Sequence, residues 1–175
     1  KVLTYPRTDS RALPEDYQQT VKETLQMLAS SDYGQFAQHI LTADWDKPNK
    51  RIFNNAKVSD HFAIIPTTFS AKKLNEAESK LYDLVVKRFL AIFYPAAEFL
   101  ITTRITRVQE EPFKTEGKVL IHAGWQAVYG KQDSSQLDQE NKVTPVLIAV
   151  ALDKPVVTEK VEVIANQTRP PARFN

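Results

Sequence analysis

A tyrosine, a proline and an arginine stand in a row inside the string Lys1-Val2-Leu3-Thr4-Tyr5-Pro6-Arg7-Thr8-Asp9-Ser10. A tyrosine side chain ordinarily ionises near pH 10, so making phenolate at neutral pH costs about 4 kcal/mol. A fixed cation lowers that cost. The same cation can hold a phosphate whose transition state spreads negative charge over its oxygens. Arginine suits the task, being always charged and able to donate two parallel hydrogen bonds. In an extended segment, residues two apart face the same side. Tyr5 and Arg7 are therefore predicted to address one phosphate together, with Pro6 stiffening the link between them. Thr8, Asp9 and Ser10 are turn and cap residues that end the strand and tie it down. A Tyr-Pro-Arg triplet alone reads as a surface turn; the full string is far more specific.

Of the three histidines, His39, His61 and His122, the second is set apart by its neighbours. It lies in Ser59-Asp60-His61-Phe62-Ala63-Ile64-Ile65-Pro66-Thr67, where a polar pair precedes an apolar run. A polar pair on the edge of a buried segment is a held side chain, with one ring nitrogen open to fixing by a carboxylate.

The elements that must position these groups follow from periodicity. Pro14 suits a first helical turn, and Glu15 and Asp16 favour its positive end. Tyr17, Val21, Leu25 and Leu28 then form one apolar stripe. Gly34 weakens the region that follows, and Phe36, Ile40 and Leu41 suggest a short second helix. Residues 44–57 read as a loop. Asn75 with Glu78 makes a capping box, followed by Ala77, Leu81, Leu84, Val85, Phe89 and Ile92 on one face, with Tyr94-Pro95 ending the helix. After Ala97 the period changes. Residues 99–108 alternate as a strand, Glu110-Glu111-Pro112 turns, and two short strands flank Glu116-Gly117. Residues 130–142 read as a mobile loop, and residues 146–150 and 160–168 as two more strands. Helices first and strands later suggest an α+β fold, or two domains with a boundary near residue 97.

Bulk properties set limits. A chain of 175 residues holds one ordinary domain or two small ones. The net charge of +2 does not by itself suggest nucleic acid, so any such contact must come from local clusters. The absence of cysteine excludes disulfides and thiolate metal sites and is compatible with a reducing cytoplasm. No apolar run approaches the length needed to span a membrane. No signal peptide is visible. Both ends look cut, which suggests a piece of a larger protein.

The first string resembles the active-site signature of type IA DNA topoisomerases, and the second resembles that family's Asp-His-His-Ala-Ile-Ile-Pro-Thr block. Weaker resemblances lie at Gly124-Trp125 with Val128-Tyr129-Gly130, and at Gln167-Thr168-Arg169-Pro170-Pro171-Ala172-Arg173-Phe174. The wording of the blocks is closer to the topoisomerase III branch. The resemblance implies that Tyr5 is the nucleophile. It would link to the 5′ phosphate of a single DNA strand, leave a free 3′ hydroxyl, and reseal by the reverse attack without ATP. Arg7 matches the arginine that contacts the scissile phosphate. His61 matches the histidine near it, able to hydrogen-bond a non-bridging oxygen or to help move a proton. Phe62 replaces the second histidine and would pack or stack instead. Trp125 reads as core packing in preference to base stacking. Arg169 and Arg173 are candidate DNA-binding residues, open also to the reading of solvated arginines.

By the same resemblance, residues 1–97 form a helical catalytic-tyrosine domain and residues 98–168 a β-rich hinge domain of the arch. Residues 169–175 begin the connection to a further DNA-binding domain. The family's Mg²⁺ ligands are expected outside this chain, with no metal or cofactor site within it, so the chain alone is expected to be inactive. The expected partners are single-stranded DNA and the rest of the parent topoisomerase, with no membrane, in a monomer working in the cytoplasm on the nucleoid. The alternative is a degenerate module that binds single-stranded DNA or a protein and no longer cuts.

Overall fold

The computed structural model describes residues 1–130, 147, 150–160, 162–163, 165–168 and 170. A single helical turn at Glu15–Tyr17 leads into α1 (Gln18–Leu28), followed by α2 (Gly34–Thr42) and α3 (Glu76–Ala91). Two strands follow, β1 (Glu98–Val108) and β2 (Glu111–His122), and then a short helical stretch at Gly124–Tyr129. Helices with one antiparallel pair of strands make the fold α+β.

The stripe expected on α1 is the buried one: Val21, Leu25 and Leu28 are fully enclosed, and Tyr17 packs against Phe62 with ring centroids 4.5 Å apart. Thr24 shares that face, and its hydroxyl donates to the Thr20 carbonyl at 2.8 Å, so burial leaves no polar atom unmet. Gly34, expected as a weak point, opens α2 instead. A Cβ there would lie 2.6 Å from the Ala29 carbonyl oxygen, so only glycine lets the second helix start this close to the end of the first.

The capping box on α3 forms as expected: the Glu78 N–H donates to Asn75 Oδ1 and the Asn75 N–H to Glu78 Oε2, each at 2.9 Å. The buried face differs. Tyr82, Val86, Phe89 and Leu90 point inward, whereas Leu81 and Leu84, assigned to the core from spacing, are 57% and 61% exposed. Two apolar stripes lie side by side on this helix. The one carrying Tyr82 wins because its ring meets Tyr33 and its continuation, Phe93, meets Phe89. The helix ends at Ala91, short of Tyr94-Pro95, and both Phe93 and Tyr94 still enter the core.

β1 runs as the alternation predicts, but its partner is one unbroken strand. Gly117, read as a break, lies opposite Thr102 in the ladder. The turn falls at Gln109 and Glu110, both with positive φ (47° and 71°), one residue earlier than expected. Pro112 sits inside β2 opposite Arg107. In a two-stranded sheet every strand is an edge, so the missing N–H is tolerated. Beyond the hairpin the chain returns to the helices: Val128 joins their core, and the Trp125 N–H donates to the Pro95 carbonyl at 2.9 Å. Trp125, expected as a core residue, is 39% exposed with its ring edge-on to Tyr129. The small Gly124 turn lets Val128, rather than the indole, reach inward.

Most of residues 130–142 and 146–150 lie outside the described residues, as do Arg169 and Arg173. The described residues between 160 and 168 form no strand, since no neighbouring segment among the described residues pairs with them.

Candidate active site

The tyrosine string and the histidine block lie side by side, antiparallel. The Thr4 N–H donates to the Ile65 carbonyl at 3.0 Å, and the Thr67 N–H donates to the Val2 carbonyl at 3.0 Å. Leu3 and Pro66 form the bridge between them. Hydroxyls reinforce the pairing. Thr4 Oγ1 accepts from the Ile65 N–H at 2.9 Å, and Thr67 Oγ1 donates to the Lys1 carbonyl at 2.9 Å. The apolar Ile65 and Pro66 are buried beneath, which fixes the register.

Past Tyr5 the chain bends at Pro6 and is tied again. Thr8 Oγ1 accepts from the Ser10 N–H at 2.9 Å and lies 3.5 Å from the His61 carbonyl oxygen. Ser10 is buried; its hydroxyl donates to the Lys57 carbonyl at 2.6 Å and accepts from the Ala12 N–H at 3.1 Å. Ser59 Oγ donates to the Asp9 carboxylate, 3.2 Å from one oxygen and 3.4 Å from the other. The expectation that Thr8, Asp9 and Ser10 tie the strand down therefore holds, and their tethers are the histidine block and its approach. Thr4, Ser59 and Thr67 were not singled out from sequence. The signal was there in the hydroxyl residues bracketing both blocks, but their partners are far away along the chain.

The outcome is a juxtaposition. The Tyr5 ring is 61% exposed and lies 5.3 Å, centroid to centroid, from the half-buried ring of His61, tilted by 34°. Arg7 is exposed, and its guanidinium has no ion-pair or hydrogen-bond partner among the described residues. The carboxylate expected to fix the His61 ring does not do so among the described residues: Asp60 is exposed, and the imidazole nitrogens make no hydrogen bond there. The nearby Asp9 is engaged by Ser59 instead. Phe62, standing where the resemblance has a second histidine, packs against Tyr17 and the core. The phenol and the imidazole thus stand together on an exposed ledge, and the Arg7 guanidinium, two residues along the chain, is exposed and keeps its donors free among the described residues. Such a set can deliver an oxygen nucleophile to a phosphoryl group and meet its charge.

Among the described residues, no group of three or more histidine, aspartate or glutamate side chains could hold a metal ion. No helix among the described residues is long and apolar enough to cross a membrane.

A family model described as DNA topoisomerase matches residues 1–175, so the chain belongs to the DNA topoisomerase family. Its relatives sharpen the kinship. DNA topoisomerase 3 of Bacillus cereus is 40% identical over 179 aligned positions, covering 100% of this chain and 24% of that protein. DNA topoisomerase 3 of Bacillus subtilis is 39% identical with the same coverage, and that of Bacillus licheniformis is 40% identical over 177 positions. The type IA, topoisomerase III-like kinship expected from the two blocks therefore stands, and the chain spans about a quarter of the length of these relatives (24%).

Proposed function

We propose that this chain is the nucleophile-bearing part of a type IA DNA topoisomerase and that Tyr5 makes the cut. The phenol oxygen attacks the scissile phosphorus of a single DNA strand and gives up its proton. The bond from phosphorus to the 3′ oxygen breaks, and that oxygen leaves as the 3′ hydroxyl. The product is a 5′-phosphotyrosine. Return attack by the 3′ hydroxyl reseals the strand and frees Tyr5; the link conserves the bond energy, so no ATP is required. Arg7 clamps the non-bridging oxygens through paired hydrogen bonds. His61 hydrogen-bonds one of those oxygens or carries a proton.

Residues 1–97 and 98–168 would belong to an arch that lifts to pass a second strand, with residues 169–175, including Arg169 and Arg173, leading to a DNA-binding domain. Mg²⁺ and its ligands would belong to the remainder of a longer enzyme, so the chain alone is inactive. The observation that carries this reading is the 5.3 Å approach of the Tyr5 and His61 rings, delivered by two blocks far apart in sequence.

The test is a chimera in which this chain replaces the matching segment of Bacillus subtilis DNA topoisomerase 3. Incubated with a labelled single-stranded oligonucleotide and denatured, it should retain a covalent DNA adduct. Tyr5→Phe should abolish the adduct, and Arg7→Ala and His61→Ala should reduce it. A folded chimera that binds the oligonucleotide without forming an adduct would favour the degenerate binding module. An adduct formed by the 175-residue chain alone would overturn the claim of inactivity.

A further inference from the structure

We propose a second contact for the same DNA strand, outside the cutting site: a base-stacking platform at Phe69, flanked by Lys1, Lys72 and Lys73. It rests on the reading of Tyr5 as the residue that receives a DNA strand. The pairing of the two blocks sets its place. Val2 lies opposite Thr67, and Thr67 also reaches the Lys1 carbonyl. The chain therefore runs on past the Lys1 end of the Tyr5 strand into residues 68–73. From Tyr5 to that end is about 13 Å at ~3.3 Å per extended residue, a span that a few nucleotides of one strand would cover.

Phe69 is 67% exposed, more than any other large aromatic among the described residues. The segment that displays it is held at several points. The Phe69 N–H lies 3.4 Å from Thr67 Oγ1, and the Lys72 N–H donates to the Ser70 carbonyl at 3.0 Å. Ala71 and Leu74 pack against the core, and the Asn75 capping box follows at once. The backbone that carries the ring is therefore held in place, as the base of a stacking surface must be. Lys72 and Lys73 are exposed and form no ion pair among the described residues. The nearest carboxylates along the chain are occupied: Glu76 by Lys80 at 2.6 Å and Glu78 by the cap. An uncovered aromatic face among uncompensated cations matches a polyanion that carries its own flat rings. Single-stranded nucleic acid is held through just this pairing of stacking and phosphate contact.

The test measures fluorescence anisotropy of a fluorescein-labelled oligothymidylate with the 175-residue chain at low salt. Phe69 is exposed, so its variants keep the fold. Phe69→Ala should weaken binding about tenfold, toward the lower end of the range for a lost base stack. Phe69→Trp should bind at least as well as the parent. Lys72→Gln with Lys73→Gln should flatten the dependence of log affinity on log salt by about 1.4, as expected for two lost phosphate contacts on a single strand. An oligonucleotide made abasic throughout should bind the parent and Phe69→Ala equally. Absence of measurable binding, or a Phe69→Ala chain that binds like the parent, would overturn the platform and leave the ring as a protein contact. The two readings fail separately. A chimera with no adduct but a tenfold Phe69 effect sinks the cutting reading, and an adduct-forming chimera with no Phe69 effect sinks the platform.

Discussion

Replacing Ser10 by alanine should loosen the whole ledge, because this hydroxyl stitches the tyrosine string to the approach of the histidine block. Its oxygen donates to the Lys57 carbonyl at 2.6 Å and accepts from the Ala12 N–H at 3.1 Å. The two partners fare differently when it goes. Lys57 is exposed, so its carbonyl turns to water. Ala12 is only 3% exposed, so its N–H is left buried without an acceptor. Such an orphaned donor costs about 1–3 kcal/mol. Removing one oxygen leaves too little space to add a sizeable cavity penalty. For a chain of this size each kcal/mol moves the melting temperature by roughly 2–4 °C, so a mid-range loss of about 2 kcal/mol lowers it by about 4–8 °C. Circular dichroism melts of the chain read this directly, and the urea midpoint should fall with the slope unchanged. In the chimera, the same change should lower adduct yield although it alters none of Tyr5, Arg7 and His61. A melting temperature within about 1 °C of the parent would refute the reasoning, since the computed loss is several times larger.

The two stripes of α3 should separate cleanly in stability measurements. Leu90→Ala, at a fully buried site, should cost about 2–5 kcal/mol, whereas Leu84→Ala, 61% exposed, should stay within about 0.5 kcal/mol of the parent in urea titrations. Asn75→Ala removes one half of the capping box and should cost about 1 kcal/mol by the same titration. Alkaline pH should destabilise the chain through Tyr33. Burial and then its hydrogen bond to Asp83 push the Tyr33 phenol up from its ordinary value. The folded form is therefore the last to ionise: the stability is fully present below the unfolded value near 10 and is lost as pH rises past it. Burial pushes Tyr82 and Tyr94 up as well, so Tyr33→Phe should flatten the fall in urea midpoint between pH 9 and 11 without removing it. Identical curves for parent and variant would dismiss the role of Tyr33.

Local rules carried the reading wherever the deciding interaction was itself local. The Asn75–Glu78 box and the stripe on α1 involve residues a turn or two apart, and both form as read. Non-local partners decided the rest. Gly117 looks like a break until Thr102 is seen across the ladder from it. Gln109 and Glu110 carry none of the usual residues for a turn with positive φ, yet the ladder on either side forces them into it. On α3 the sequence offers two neighbouring apolar stripes, and only Tyr33 and Phe93 settle which one turns inward. The site divides the same way. Tyr5, Arg7 and His61 were legible as types in strings, and Thr8 and Ser10 as ties. That Thr4 meets Ile65 and Thr67 meets Lys1 depends on a register that no local pattern states.

The way the ledge is fastened holds it in place without engaging the side chains proposed to react. Every tether between the two blocks is a backbone pair or a hydroxyl: Thr4, Thr8, Ser10, Ser59 and Thr67. The only charged member is Asp9, and it is neutralised by no cation among the described residues; it accepts from Ser59. Had Arg7 or His61 been recruited to hold the blocks together, an incoming phosphate would have to break those bonds before it could bind. Charged hydrogen bonds are worth roughly 1.5–3 kcal/mol each, a penalty that would fall on the reacting complex. With neutral hydroxyls doing the fastening, the guanidinium and imidazole keep their donors for a ligand. Moving a charge into the fastening should therefore damage the chemistry more than the fold. Ser59→Lys, which would pair with Asp9 and set a cation two residues from His61, should leave the melting temperature nearly unchanged while lowering adduct yield in the chimera.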